Sequence, residues 1–161
     1  MYAVTNPASN AKLASGIAPV ARYLEEGIPV AIGTDGPASN NSLDMFREMF
    51  MVTALGKLKA MDASSIDAAE VLKMATVNGA HAMGLNDCDV IAPGKKADII
   101  LLDLQQPNMQ PINNIVKNIV YSGSKTNVAM TMIGGIMHTR ISGALQTPHD
   151  ALGIHKVLGA T

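Results

Sequence analysis

The pattern of apolar and polar positions changes its period once along this chain, and that change separates two kinds of predicted element. Residues 2–5 form a short extended run that stops at Asn6–Pro7, because proline disfavours a helical backbone at the residue before it; residues 6–10 are predicted as strand end and loop. Pro19 suits the first turn of a helix, Val20 and Leu24 fall on one face of it, and Gly27 supplies a stop. Val30, Ala31 and Ile32 are then apolar without interruption, the mark of a strand covered on both faces as in parallel sheets. Strand, helix and strand make a βαβ unit, whose crossover is right-handed by rule. Asn41, with Asp44 three residues on, is predicted to cap a helix carrying Leu43, Phe46, Met49, Phe50 and Thr53 at helical spacing. Met45, Met49 and Met51 read as core filler. Ser64 and Asp67 announce a further helix with Val71, Leu72 and Ala75 inward, and Thr76 a shorter one that closes at Gly84.

From Asp89 the helical period is lost. Ala92-Pro93-Gly94 is a tight turn, residues 97–102 and 128–133 are apolar strands, and Gly134-Gly135 turns the second into a hairpin partner over residues 136–141. The predicted organisation is therefore α/β over residues 1–88, a small β unit over 89–144, and a tail over 145–161 read as a surface helix or arm.

Composition adds a tension. Counting glycine in place of tyrosine, about 55% of the 161 residues are apolar against the usual 45–50%, and 16% are charged against about 25%. Such a surplus implies surface meant to be covered by other chain, and with an open strand edge it predicts self-association into a homo-oligomer. A net charge of -1 without clustered basic residues gives no nucleic-acid footprint. No basic and apolar leader opens the chain and no run approaches 18 apolar residues, so a cytoplasmic protein without a membrane partner is expected. The one cysteine, Cys88, has no neighbouring base and reads as an ordinary small side chain.

Candidate chemistry concentrates in IPVAIGTDGPASNN, residues 28–41. Gly33, Gly36 and Pro37 force an irregular loop at the end of the apolar strand, which places Asp35 where parallel α/β architectures collect ligands and catalytic groups. An aspartate that merely caps the next turn fits the same spacing. Ser9 and Asn10 likewise either meet a ligand or hydrogen-bond their own backbone, and local chemistry favours the turn. Lys95 and Lys96 lack the glycine-rich loop of a phosphate cradle and read as solvated turn lysines. His81 has no second ligand four residues on and reads as structural; His149 and His155 sit in too irregular a context to form a metal pair.

Three stretches in order, NPASNAKLASGIAPV (residues 6–20), GTDGPASNNSLDMF (33–46) and APGKKADIILLDL (92–104), resemble the last third of the amidohydrolase superfamily. The branch is that of the S-adenosylhomocysteine, 5'-methylthioadenosine and chlorohydrolase-like deaminases. The resemblance implies the last two β/α units, strands seven and eight, of a TIM-type (β/α)8 barrel, followed by part of a small β-sandwich. It implies a hydrolase of C–N bonds that deaminates the aromatic ring of a small molecule, of adenosine type or a related heterocycle, with a divalent metal, zinc or iron, as cofactor. Asp35 matches the aspartate that ends strand eight, binds the metal and shuttles a proton. Asn6, Ser9 and Asn10 fall in the loop after strand seven that borders the site, and Ser39 and Asn40 in the strand-eight motif are candidates for substrate contact or support. A barrel of this type needs about 250 residues, and the histidine ligands of strands one, five and six have no counterpart here. The chain is thus expected to be a carboxyl-terminal segment, inactive alone; the alternative is a noncatalytic α/β module that self-associates or packs on a partner.

Overall fold

The computed structural model describes residues 1–140. Strands β1 (Ala3–Thr5) and β2 (Val30–Ile32) pair in parallel, with Ala3 opposite Val30 and Thr5 opposite Ile32. The segment after β1 corrects one expectation: α1 (Pro7–Lys12) is a helix, not a loop. Asn6 does stay out of the helical region (φ -122°, ψ 74°), as its proline neighbour requires, but Pro7 then occupies a first-turn position where no N–H is needed and its fixed φ starts a helix. Helix α2 (Val20–Glu25) returns the chain to β2 and ends before Gly27, whose φ of +70° suits glycine. Helix α2 packs against β2 together with α4, α5 and α6, the last three lying further along the chain: α4 (Met45–Ala60), α5 (Ala68–Ala75) and α6 (Val77–Ala82). That encirclement explains why all three β2 residues are buried and why an unbroken apolar triplet is needed.

Between β2 and α4 lies a single turn of helix, α3 (Pro37–Asn40). Asn41 does not cap α4; it adopts φ +67° and closes α3, a left-handed conformation that asparagine tolerates. Asp44 is the cap, its carboxylate accepting from the Phe46 and Arg47 amides. Phe46, Met49 and Thr53 face inward as predicted, but Leu43 precedes the helix and Phe50 turns outward, both largely exposed. Of the methionines, Met49 is core, while Met45 and Met51 are half-buried.

The second sheet is antiparallel, β3 (Ile99–Leu102), β4 (Val128–Ile133) and β5 (Ile136–Arg140) in that order. Gly134 and Gly135 both take positive φ, the requirement of a two-residue hairpin turn matched to strand twist. What the pattern misses is α7 (Ile115–Ser122), capped by Asn114, which packs on α4 and α5. Through Ile119 and Val120, with Met109 of the preceding 3₁₀ turn (Pro107–Met109), it joins the same apolar cluster as Val20, Val30 and Ile32, so the two sheets share one core. Residues 141–161, including the predicted tail with His149 and His155 and the last hairpin position Ile141, lie outside the described residues.

Lys95 also departs from expectation. Its ammonium donates to Asp89 Oδ1 at 2.7 Å, and Asp89 Oδ2 pairs with His81 Nε2 at 2.7 Å, while His81 Nδ1 meets the Tyr2 hydroxyl at 3.1 Å. His81 is thus structural as predicted, tying α6 to both ends of the α/β unit. Lys95, then His81, hold the Asp89 carboxyl down at about 2 from its ordinary 3.8. Because the folded value lies below the unfolded one, this contribution to stability is complete above about pH 4 and disappears as pH falls toward 2. We expect Asp89→Asn to flatten acid unfolding in that window when followed by circular dichroism; an unchanged acid limb would show that the cluster does not couple to folding.

Candidate active site at the end of the second strand

Gly33 continues the parallel ladder by one bond, its amide donating to Thr5 O at 2.9 Å. It has no Cβ for a reason: one built there would collide with Oδ1 of Asn6, whose side chain crosses between the two strand ends. Two residues later Asp35 sits in the left-handed region at φ +60°, uncommon outside glycine and tolerated by aspartate. Its carboxylate is exposed at the carboxyl end of β2 and is held by both flanks. Ser9 Oγ, buried on α1, donates to Oδ2 at 2.7 Å, and the Gly36 amide donates to Oδ1 at 2.7 Å.

These donors fix the charge state. The Ser9 hydroxyl first, then the Ser39 hydroxyl and the Gly36 amide, hold the Asp35 carboxyl below the usual carboxylate range, because each hydrogen bond favours the ionised form. Ser39 Oγ also lies 3.0 Å from the Gly36 carbonyl oxygen, and its single proton serves one acceptor at a time. The result is an ionised carboxylate, oriented by two donors and open to solvent, with lone pairs left for a cation or a proton.

The structure sorts the remaining candidates. Ser9 does not satisfy its own backbone; it reaches across 26 residues of sequence to Asp35. Asn10 is half-buried next to it on α1. Asn40 is buried and faces inward: its amide donates to Thr34 O and, at 2.8 Å, to Oε1 of Glu48. Lys12 clamps α1 to the loop through Asn41 Oδ1 and Ala38 O. The residue that sequence reasoning passes over is Glu48, fully buried in the first turn of α4. The available signal is a charged residue on the helix face that otherwise carries Phe46, Met49, Val52 and Thr53.

A structural or catalytic zinc site takes three or four protein ligands. Among the described residues no group of three or more histidine, cysteine, aspartate or glutamate side chains is disposed to hold a metal ion. Asp35 fits as one oxygen ligand, and these residues alone do not complete a metal centre. Cys88 offers no substitute, since burial and then Asp98 push its thiol above the ordinary value and keep it protonated.

A parallel α/β unit with an oriented carboxylate just past a strand end defines a class, that of parallel α/β folds whose ligand sites lie at the carboxyl edge of the sheet. The comparisons narrow it: residues 1–137 match the model of the amidohydrolase family, and the chain belongs to that family. It is 47% identical over 130 residues to a 5-methylthioadenosine/S-adenosylhomocysteine deaminase of Thermococcus onnurineus (strain NA1), covering 81% of this chain and 30% of that protein. It is 52% identical over 133 residues to the enzyme of the same description from Desulfovibrio desulfuricans, covering 83% of this chain and 30% of that protein. The chain therefore spans about a third of the length of these relatives. A crystal structure of an adenosine deaminase from Xanthomonas campestris with bound zinc superposes with a TM-score of 0.84 at 36% identity, over 96% of this chain and 35% of that one. Atrazine chlorohydrolase from Arthrobacter aurescens TC1, complexed with zinc, shares the fold with a TM-score of 0.80 at 21% identity, over 94% of this chain and 34% of that one.

Proposed function

We propose that this chain supplies the Asp35 corner of a metal-dependent amidohydrolase that deaminates an adenosine-type or related heterocyclic small molecule. The observation that carries the reading is the ionised, doubly oriented, solvent-open carboxylate at the end of β2, in a chain about half identical to named deaminases. In this reading β1 and β2 are strands seven and eight of a (β/α)8 barrel, residues 1–88 belong to the barrel, and the β3–β5 sheet within residues 89–144 is part of a β-sandwich. Zinc or iron, when bound, supplies an activated water. Asp35 serves as one of its ligands and carries a proton, while Asn6, Ser9, Asn10, Ser39 and Asn40 line or brace the site. The reaction adds water across the ring C–N bond and releases ammonia, so one ring carbonyl and one ammonia appear per substrate consumed.

The outer edges of β1 and β2 have no partner among the described residues, and Val4 is 58% exposed. Association of copies through these edges, in a cytoplasmic enzyme, belongs to the same proposal. No described helix is long and apolar enough to cross a membrane.

The test compares the 161-residue chain with the protein extended to include the remaining ligands. The longer protein should hold stoichiometric metal and release ammonia from an adenosine-type substrate, and the 161-residue chain should do neither. Absence of ammonia release from the metal-loaded longer protein across purine nucleosides would defeat the reading. Light scattering on the 161-residue chain should show dimers or larger at about 0.1 mM, a concentration that leaves interfaces weaker than about 5.5 kcal/mol mostly open; a clean monomer would remove the association part.

A further inference from the structure

We propose that Glu48, a fully buried carboxylate outside the site, is the positioning residue that sets the geometry between Ser9 and Asp35. Its two oxygens are divided between the two segments that flank Asp35. Oε2 accepts from the Ala8 amide at 2.9 Å, in the first turn of α1 and one residue before Ser9. That amide is one of the orphan donors of a helix start, and Asn6, at the cap position, makes no side-chain capping bond. Glu48 therefore caps α1 from another helix. Oε1 accepts from Asn40 Nδ2 at 2.8 Å, and the same amide group donates to the carbonyl of Thr34, the residue before Asp35. One carboxylate thus fixes the helix that carries the Ser9 hydroxyl and, through Asn40, the backbone that carries Asp35.

The choice of a charge in this place follows from donor arithmetic. A carboxylate only accepts, and here two N–H donors converge on it; glutamine has one acceptor oxygen and one donor amide, so one convergence becomes a repulsion. Turning the Asn40 amide over does not relieve it, because its carbonyl oxygen would then face Thr34 O and lose the 3.4 Å contact from Arg47 Nη1. Among the described residues no lysine, arginine or histidine forms an ion pair with Glu48. Neutral donors and the first turn of α4, where the helix dipole favours an anion, hold the charge. A buried charge with two bonds of this kind is costly to place and is poorly explained by stability alone, since apolar residues of similar volume often serve as well. It does determine one arrangement of its donors.

The inference rests on the reading of Asp35 as catalytic, and its test is arranged to fail separately. In the 161-residue chain, ¹H–¹⁵N spectra of Glu48→Gln should move the Ser9 and Gly36 cross-peaks; Gly36 reports because its amide is bonded to Asp35 Oδ1. Ser9→Ala should move Gly36 as well, and the double variant should move it by less than the sum of the two single shifts, since the route through α1 is common to both while the route through Asn40 remains. Val71→Ala, a fully buried change elsewhere in the core, should leave Gly36 where it was. A Gly36 peak unmoved by Glu48→Gln, or shifts that add in the double variant, would overturn the proposal. Should the glutamine variant not fold, Asn40→Ser cuts the second link alone and is read in the same way at Thr34 and Gly36. In the longer enzyme, Glu48→Gln should lower kcat by about 10- to 100-fold with KM within about twofold, the signature of misplacement without lost binding. The spectra need no turnover, so a parent enzyme that hydrolyses nothing overturns the functional reading and leaves the Glu48 result to be judged by itself.

Discussion

Asp35→Asn should lower kcat of the complete enzyme by about 10²- to 10⁴-fold, the range over which a positioned acid–base group contributes, while KM changes by no more than about threefold. Asparagine keeps the shape and one carbonyl oxygen for the Gly36 amide, and its NH2 group, which takes the place of Oδ2, donates to Ser9 Oγ where the carboxylate accepted from it. What it loses is the ability to take a proton from the attacking water and return it to the departing amine. In barrier terms the loss is about 3 to 5.5 kcal/mol. Ser9→Ala should be milder, because the Gly36 amide and Ser39 still orient the carboxylate. Steady-state kinetics with metal content measured on each preparation separates lost chemistry from lost metal. A variant that holds metal and keeps more than about a tenth of parental kcat would exclude Asp35 as proton carrier.

The second large effect concerns the core. Met74 on α5 is wholly buried within the shared apolar cluster, and truncating a buried methionine to alanine costs about 2–5 kcal/mol. At roughly 2–4 °C per kcal/mol for a chain of this size, Met74→Ala should lower Tm by about 4–20 °C. Met83, 70% exposed just after α6, is the control: its alanine variant should stay within about 0.5 kcal/mol. Thermal melts followed by circular dichroism make the comparison. A loss below about 1 kcal/mol at Met74 would show that the core tolerates a void there, contrary to the close packing of interiors.

The unbroken triplet Val30-Ala31-Ile32 made β2 legible because burial on both faces leaves no room for polar alternation, and the glycine pair at 134–135 made the hairpin legible because few other residues adopt its backbone. Asp35 was legible from its place after an apolar strand. The Ser9 contact was not, since local chemistry at NPASN favours a self-bonded turn and only the approach of α1 to the loop brings the hydroxyl to its partner. Asn40 is among the candidates that the motif offers, but its partner Glu48 escapes for a related reason: a charged residue on a helix announces a solvated face unless the donors that meet it are known. Helix α7 is hard to see in the sequence because it is only eight residues long and lies between two strands, with the Asn114 cap as its chief local sign. Where a cap was sought, Asn41 and Asp44 competed; the aspartate took the role, and the asparagine, comfortable at positive φ, closed the turn before it.

Helix α7 bears on movement. Small sheets appended to catalytic units are natural candidates for hinged covers, which need an interface able to open at little cost. Here Ile119 and Val120 are sunk between α4 and α5, and Asn127, wholly buried, ties the 3₁₀ turn after α7 to Gln106 and Asn108 in the chain before it. The turn and the chain before it therefore move as one piece with α7, and swinging the β3–β5 sheet away from α4 and α5 would expose the apolar contact of Ile119 and Val120. The appended sheet is thus anchored through α7 to the helical layer, an attachment made for holding position and unsuited to a hinge.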